Sequence, residues 1–121
     1  MSTELTHFPG RDLQPYAEPI LTASLTEGTE YFSVQYSDEE MLIPIVETWI
    51  YAGKSLEESE IDLLYFQDVD SYRQGIRFGA PGAEDASFQV GREGGLKHMF
   101  SFEHALNELL RCSLRRKNVG L

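Results

Sequence analysis

Thiol chemistry is nearly absent from this chain. It holds one cysteine, Cys112, so no disulfide closes within it and nothing demands an oxidising compartment. Base is scarce as well. Ten lysines and arginines face 20 aspartates and glutamates, a net charge of −10 that repels nucleic-acid phosphates and anionic lipid over most of the surface. No apolar run approaches the ~20 residues a membrane-spanning helix needs. The first residues, MSTELTHFPGRDLQPYAEP, carry neither the basic nor the apolar region of a secretory signal. These absences predict a cytoplasmic protein that uses neither nucleic acid nor membrane as a partner.

Motifs that would name a reaction are missing too. There is no GxSxG elbow and no HExxH, and neither GREGG nor GAPG leads into the GK[ST] of a phosphate loop. Counting from Asp68 as the first position of a calcium loop, the required glycine and terminal acid fall on Arg73 and Gly79, so an EF-hand is excluded. No cofactor is implied.

What is present suits a folded domain. A chain of 121 residues, 41% hydrophobic and 12% aromatic, is long enough to bury a core without staples. The charge is uneven along it. Residues 1–70 hold 15 acids against Arg11 and Lys54, a net −13, and the remainder is +3. Such a half favours a basic protein partner or a cation, and it also serves plain solubility.

Residues 1–17 lack periodicity and predict an irregular N-terminal arm, with one domain over 18–121. EPILTASL (18–25) alternates as a strand with one apolar face would, and EGT turns the chain. EYFSVQY (30–36) sets Phe32, Val34 and Tyr36 on one side of a strand. The segment 38–52 is ambiguous. Ser37 with Glu40 is a capping-box pattern and the apolar spacing is helical, yet Pro44 and a run of β-branched and aromatic residues oppose a helix. The preferred reading is a strand over about 41–52, hairpinned to 30–36, with Pro44 at an edge or bulge. LLYF (63–66) predicts a short strand. Asp70 or Ser71 then caps one helical turn that Gly75 stops. SFQVG and LKHMF flank REGG as a second hairpin. Ser101 caps a helix over about 102–116 that buries Phe102, Ala105, Leu106, Leu109, Leu110 and Ser113, with Arg111, Arg115, Arg116 and Lys117 toward its end. The fold class expected is α+β: an antiparallel meander sheet of about five to six strands, with the C-terminal amphipathic helix packed on one face.

If 41–52 is a strand, Trp49 and Tyr51 share a face with Ile43 and Ile45, while Leu42, Val46 and Ile50 take the other. Both faces are then apolar, and the one without the helix needs a loop, a ligand or a second subunit. The expected function is accordingly a small acidic, non-enzymatic interaction domain. It binds a protein partner or forms a homodimer, with Trp49, Tyr51, Glu57, Glu58 and Glu60 as partner-binding residues. The alternative is a small enzyme or metal-dependent ligand binder with a site at Tyr65, Asp68, Asp70 and Tyr72, where an acid from EESEID would complete a cation site. Capping charge at a helix start explains both Asp68 and Asp70 without any ligand, and is the preferred reading of the pair. His98, His104 and Glu108 form a second weak ligand set, against which stands a His104–Glu108 pair on one helix face. Cys112, three residues from Leu109, fits a small apolar residue at the core margin.

Overall fold

The computed structural model describes residues 4–18, 20–57, 59 and 61–121. Strand β1 (Glu30–Tyr36) is followed by β2 (Pro44–Lys54), β3 (Leu64–Asp68), a short helix α1 (Val69–Arg73), β4 (Phe88–Gly91), β5 (Met99–Phe100) and the long helix α2 (Phe102–Asn118). The strands form one antiparallel sheet in the order β4-β3-β2-β1-β5. An α+β fold in meander order is therefore what the chain adopts, with β5 added beside β1.

The ambiguous segment is a strand. Tyr36 pairs with Pro44 and Glu30 with Ile50, so β2 runs back along the whole of β1. A helix is displaced because Asp38 folds its carboxylate onto the amides of Leu42 (3.0 Å) and Ile43 (2.9 Å). Met41 takes a positive φ of 58° within the turn so made. Desolvation pushes the Asp38 carboxyl up, but these N–H donors outweigh it and hold the group below the ordinary aspartate range.

Two expected elements are absent among the described residues. The expected strand over 18–25 is not formed by 20–25; Thr22–Ser24 form a single 3-10 turn, and Ile20 and Leu25 pack on the sheet. The second hairpin does not form either. Strands β4 and β5 lie on opposite edges of the sheet, and residues 92–98 cross from one to the other. Glycines in REGG signalled a turn correctly, but short flanking strands carry too little pattern to fix which neighbour each will pair with. Leu96 anchors the crossing. It is buried, and it lies so near Gly91 that a β-carbon there would stand 2.9 Å from its side chain.

The two faces of the sheet are covered differently. One carries the larger core: Tyr31, Trp49, Tyr51, Leu64, Phe66 and Met99, closed by Ile20, Leu25 and Leu96. The other carries Val34, Phe100, Phe32 and Tyr36 beneath Ala105 and Leu109 of α2. Farther along that second face, Tyr65 packs at a tilt on Phe78, and Phe78 meets Phe88 edge to face. No helix among the described residues is long and apolar enough to cross a membrane.

Candidate functional site

The paired aspartates resolve into unlike roles. Asp68 caps α1: Oδ2 accepts the Ser71 N–H (3.0 Å), and Oδ1 accepts the Ser71 hydroxyl (2.5 Å) and the Ser87 N–H (2.8 Å). The cap falls two residues before the earliest position expected from sequence, because Val69 already belongs to the helix. Desolvation raises the Asp68 carboxyl, but donation from the Ser71 hydroxyl and the Ser87 and Ser71 amides prevails and holds it below the usual range. Asp70 is exposed in the first turn. Tyr65 is 2% exposed and points to the sheet face opposite Asp68, by strand alternation. Tyr72 is half-buried with the Arg77 guanidinium 3.8 Å above its ring. The structure does not bring these four side chains into one cleft.

Trp49 and Tyr51 are 6% and 5% exposed and lie in the larger core, under residues 20–25 and 96. Over Trp49 and Tyr51 the apolar face that sequence left uncovered is thus closed by the chain itself, and these two residues are not on an open surface. Glu57 is exposed beyond the far end of β2. Glu58 and Glu60 lie outside the described residues. His104 pairs with Glu18 (2.8 Å) rather than with Glu108. Among the described residues, no three His, Cys, Asp or Glu side chains gather as metal ligands would.

A cluster that sequence reading missed binds the β1–β2 hairpin to α2. The Tyr36 hydroxyl donates to Glu108 Oε2, and Arg111 Nε donates to Oε1 at 3.0 Å. Arg115 reaches the Tyr36 oxygen (2.7 Å), Glu108 Oε2 (3.3 Å) and the Met41 carbonyl (3.0 Å). Arg116 donates to the Leu42 carbonyl at 2.7 Å. Cys112, 2% exposed, sits beneath the same turn. Burial first, and the hydrogen bond to the Glu108 carboxylate second, push the Tyr36 hydroxyl well above the ordinary tyrosine range. It stays protonated and donates. The sequence signal was available: Glu108 and Arg111 stand three apart with Arg115 four beyond, the spacing at which helical side chains meet.

This clamp fastens the turn that leads into a feature of chemical consequence, the outer edge of β2. Strand β3 stops at Asp68, which pairs with Trp49, because Asp68 turns the chain into α1. Residues 44–48 of β2 continue past that point and pair only with β1. Tyr51 exchanges bonds with Gly28 and Thr29, and Ser37 donates to the Ile43 carbonyl, so odd-numbered residues turn their backbone toward β1. By alternation, the N–H and C=O groups of Val46 and Thr48 and the carbonyl of Pro44 point outward. The nitrogen of Pro44, which has no proton, falls on this unpaired side, as expected for proline at a sheet edge. Ile43, Ile45 and Val46 are 55%, 47% and 47% exposed along this strip, with Asp38, Glu39, Glu40 and Glu47 around them.

No protein-family profile, curated protein or solved structure matches the chain.

Proposed function

We propose that the protein is a non-catalytic interaction domain that takes a basic, extended segment of a partner protein as an additional strand along residues 44–48 of β2. The observation that carries this reading is a strand edge whose outward backbone donors and acceptors have no partner strand, flanked by exposed branched side chains and acids. An edge of this kind is normally blunted, since it would otherwise recruit other chains. Here only Pro44 and Glu47 blunt it, and two amides remain available. Strand addition draws affinity from main-chain bonds and specificity from alternate side-chain contacts. Ile45 and Glu47 would meet one set of partner side chains, and Val46 and Thr48 the other. The surrounding acids select a partner segment bearing lysine or arginine and repel an acidic one.

The test uses a fluorescent peptide of alternating lysine and valine, with an alternating glutamate and valine peptide as control. Anisotropy should show binding of the basic peptide alone, weakened by salt. Val46→Pro removes one outward N–H and should weaken binding by about tenfold, from the lost bond and the added local misfit. Equal binding of both peptides, or unchanged affinity in Val46→Pro, would overturn the reading.

A further inference from the structure

Helix α2 mixes charge into its packed side and leucine into its outer side. Its inward side carries Ala105, Leu109 and Cys112, but also the charged pair Glu108 and Arg111, which are 6% and 8% exposed. Its outward side carries Leu106, Leu110 and Leu114, of which the last two are 37% and 52% exposed. Surface helices place apolar residues on the packed face and charge toward water. Three leucines at successive spacings of four, turned away from the sheet, therefore call for something to cover them. The N-terminal arm covers them only in part. Phe8, Pro9 and Leu13 form the far wall of a groove of about 620 Å³ whose floor is this leucine row. Arg11 fixes that wall by bonding Glu103 and the Asn107 side chain (2.8 Å).

We infer that the groove is filled by the same helix of a second copy of this chain, packed antiparallel about a two-fold axis at Leu110. The sequence of the outward stripe is complementary to itself in that orientation. With Leu110 opposite its own copy, Leu106 meets Leu114 of the other molecule, since each lies four residues from the axis. Glu103 meets Lys117 of the other molecule, since each lies seven away. An acid and a base thus bracket an apolar centre at both ends. In a parallel pairing Glu103 would face itself, and so would Lys117. Charge also selects this face over the rest of the molecule. Two copies carrying −10 each repel over most approaches. The residues that line the groove include Arg11 and Lys117 and no acid, so two copies can meet there without opposing acids. The surface shares no residue with the β2 edge, and the inference stands independently of strand addition.

Sedimentation equilibrium of the full chain over a concentration series gives the test. The wild type should show a monomer–dimer equilibrium. Leu110→Glu should be monomeric at every concentration with an unchanged circular dichroism spectrum, because the residue is not part of the sheet-facing core. Lys117→Glu sets two acids together at each end of the interface and should weaken dimerisation by about fivefold to tenfold. A Leu110→Cys variant should cross-link to itself across the axis under mild oxidation, since the native Cys112 is buried. A wild type that stays monomeric throughout, or a dimer indifferent to Leu110→Glu or to Lys117→Glu, would overturn the proposal.

Discussion

Trp49 of β2 and Asp68 of β3 form the terminal cross-strand pair of their strands, and beyond it β2 runs on without a paired strand on that side. One residue thus has two structural consequences. By capping α1, Asp68 ends β3, and by ending β3 it leaves the edge of β2 open.

The open edge predicts an asymmetry between adjacent prolines. The amide of Val46 points outward, so Val46→Pro should cost little stability, about 1 kcal/mol or less. The amide of Ile45 points toward β1, so Ile45→Pro removes a ladder bond and should cost roughly 1–3 kcal/mol more. Urea denaturation midpoints of the two variants give the comparison. If both lose equally, the alternation assigned to β2 is wrong.

Removing the Asp68 cap should be felt locally and in acid. Asp68→Ala leaves the amides of Ser71 and Ser87 without their acceptor and should cost about 1–2 kcal/mol. Because the folded carboxyl lies below the ordinary value of 3.8, its contribution is complete above that value. It is lost as pH falls through the ordinary value toward the lower folded one. Asp68→Asn should flatten this acid limb while keeping part of the cap. Thermal melts from pH 6 down to pH 2 would show it, and an acid limb of unchanged slope would refute the assignment.

The clamp between Tyr36 and α2 predicts an order of severity. Glu108→Ala strands Arg111 in a site where it is 8% exposed, and breaking a buried pair from one side costs about 3–5 kcal/mol. Tyr36→Phe removes one hydroxyl and leaves Glu108 with both arginines, so its cost should be nearer 1–2 kcal/mol. The raised Tyr36 hydroxyl adds a pH signature. Stability it contributes is intact below the unfolded value of 10.0 and is lost as pH rises from there toward the folded value. The alkaline limb of stability should therefore be shallower in Tyr36→Phe.

Much of the fold was legible because β1, β2 and α2 are long enough for period and capping to agree. Pro44 and the β-branched run decided 44–54 for the sheet, and Ser101 marked the start of α2 to the residue. Short strands were not legible. Phe88–Gly91 and Met99–Phe100 pair with β3 and β1 through contacts distant in sequence, which local glycines cannot encode. The face of α2 was misread for a physical reason. Counting apolar residues assigned Phe102 and Leu110 to the core, yet they are 63% and 37% exposed, while Glu108 and Arg111 are buried by pairing with each other and with the hairpin. A mutually neutralised pair can occupy a core position that a hydrophobicity pattern reserves for leucine. The open edge of β2 was illegible for a related reason: it depends on where a different strand stops.

The contact between Gly91 and Leu96 gives the last prediction. Leu96 is 8% exposed and closes the larger core from the segment that joins β4 to β5. A β-carbon on Gly91 would stand 2.9 Å from both Leu96 Cγ and Cδ2. The clash falls on the branch point of the side chain, which cannot swing aside as a flexible tip would. Gly91→Ala should therefore destabilise the domain by about 1–3 kcal/mol through overpacking. Leu96→Ala alone opens a cavity and should cost about 2–4 kcal/mol. In the double variant the new methyl group occupies part of that cavity and the clash disappears, so the two costs should add to less than their sum. A double-mutant cycle measures the coupling directly. Full additivity would mean that residues 92–98 can shift away from β4 at little cost, and that Leu96 does not anchor the crossing.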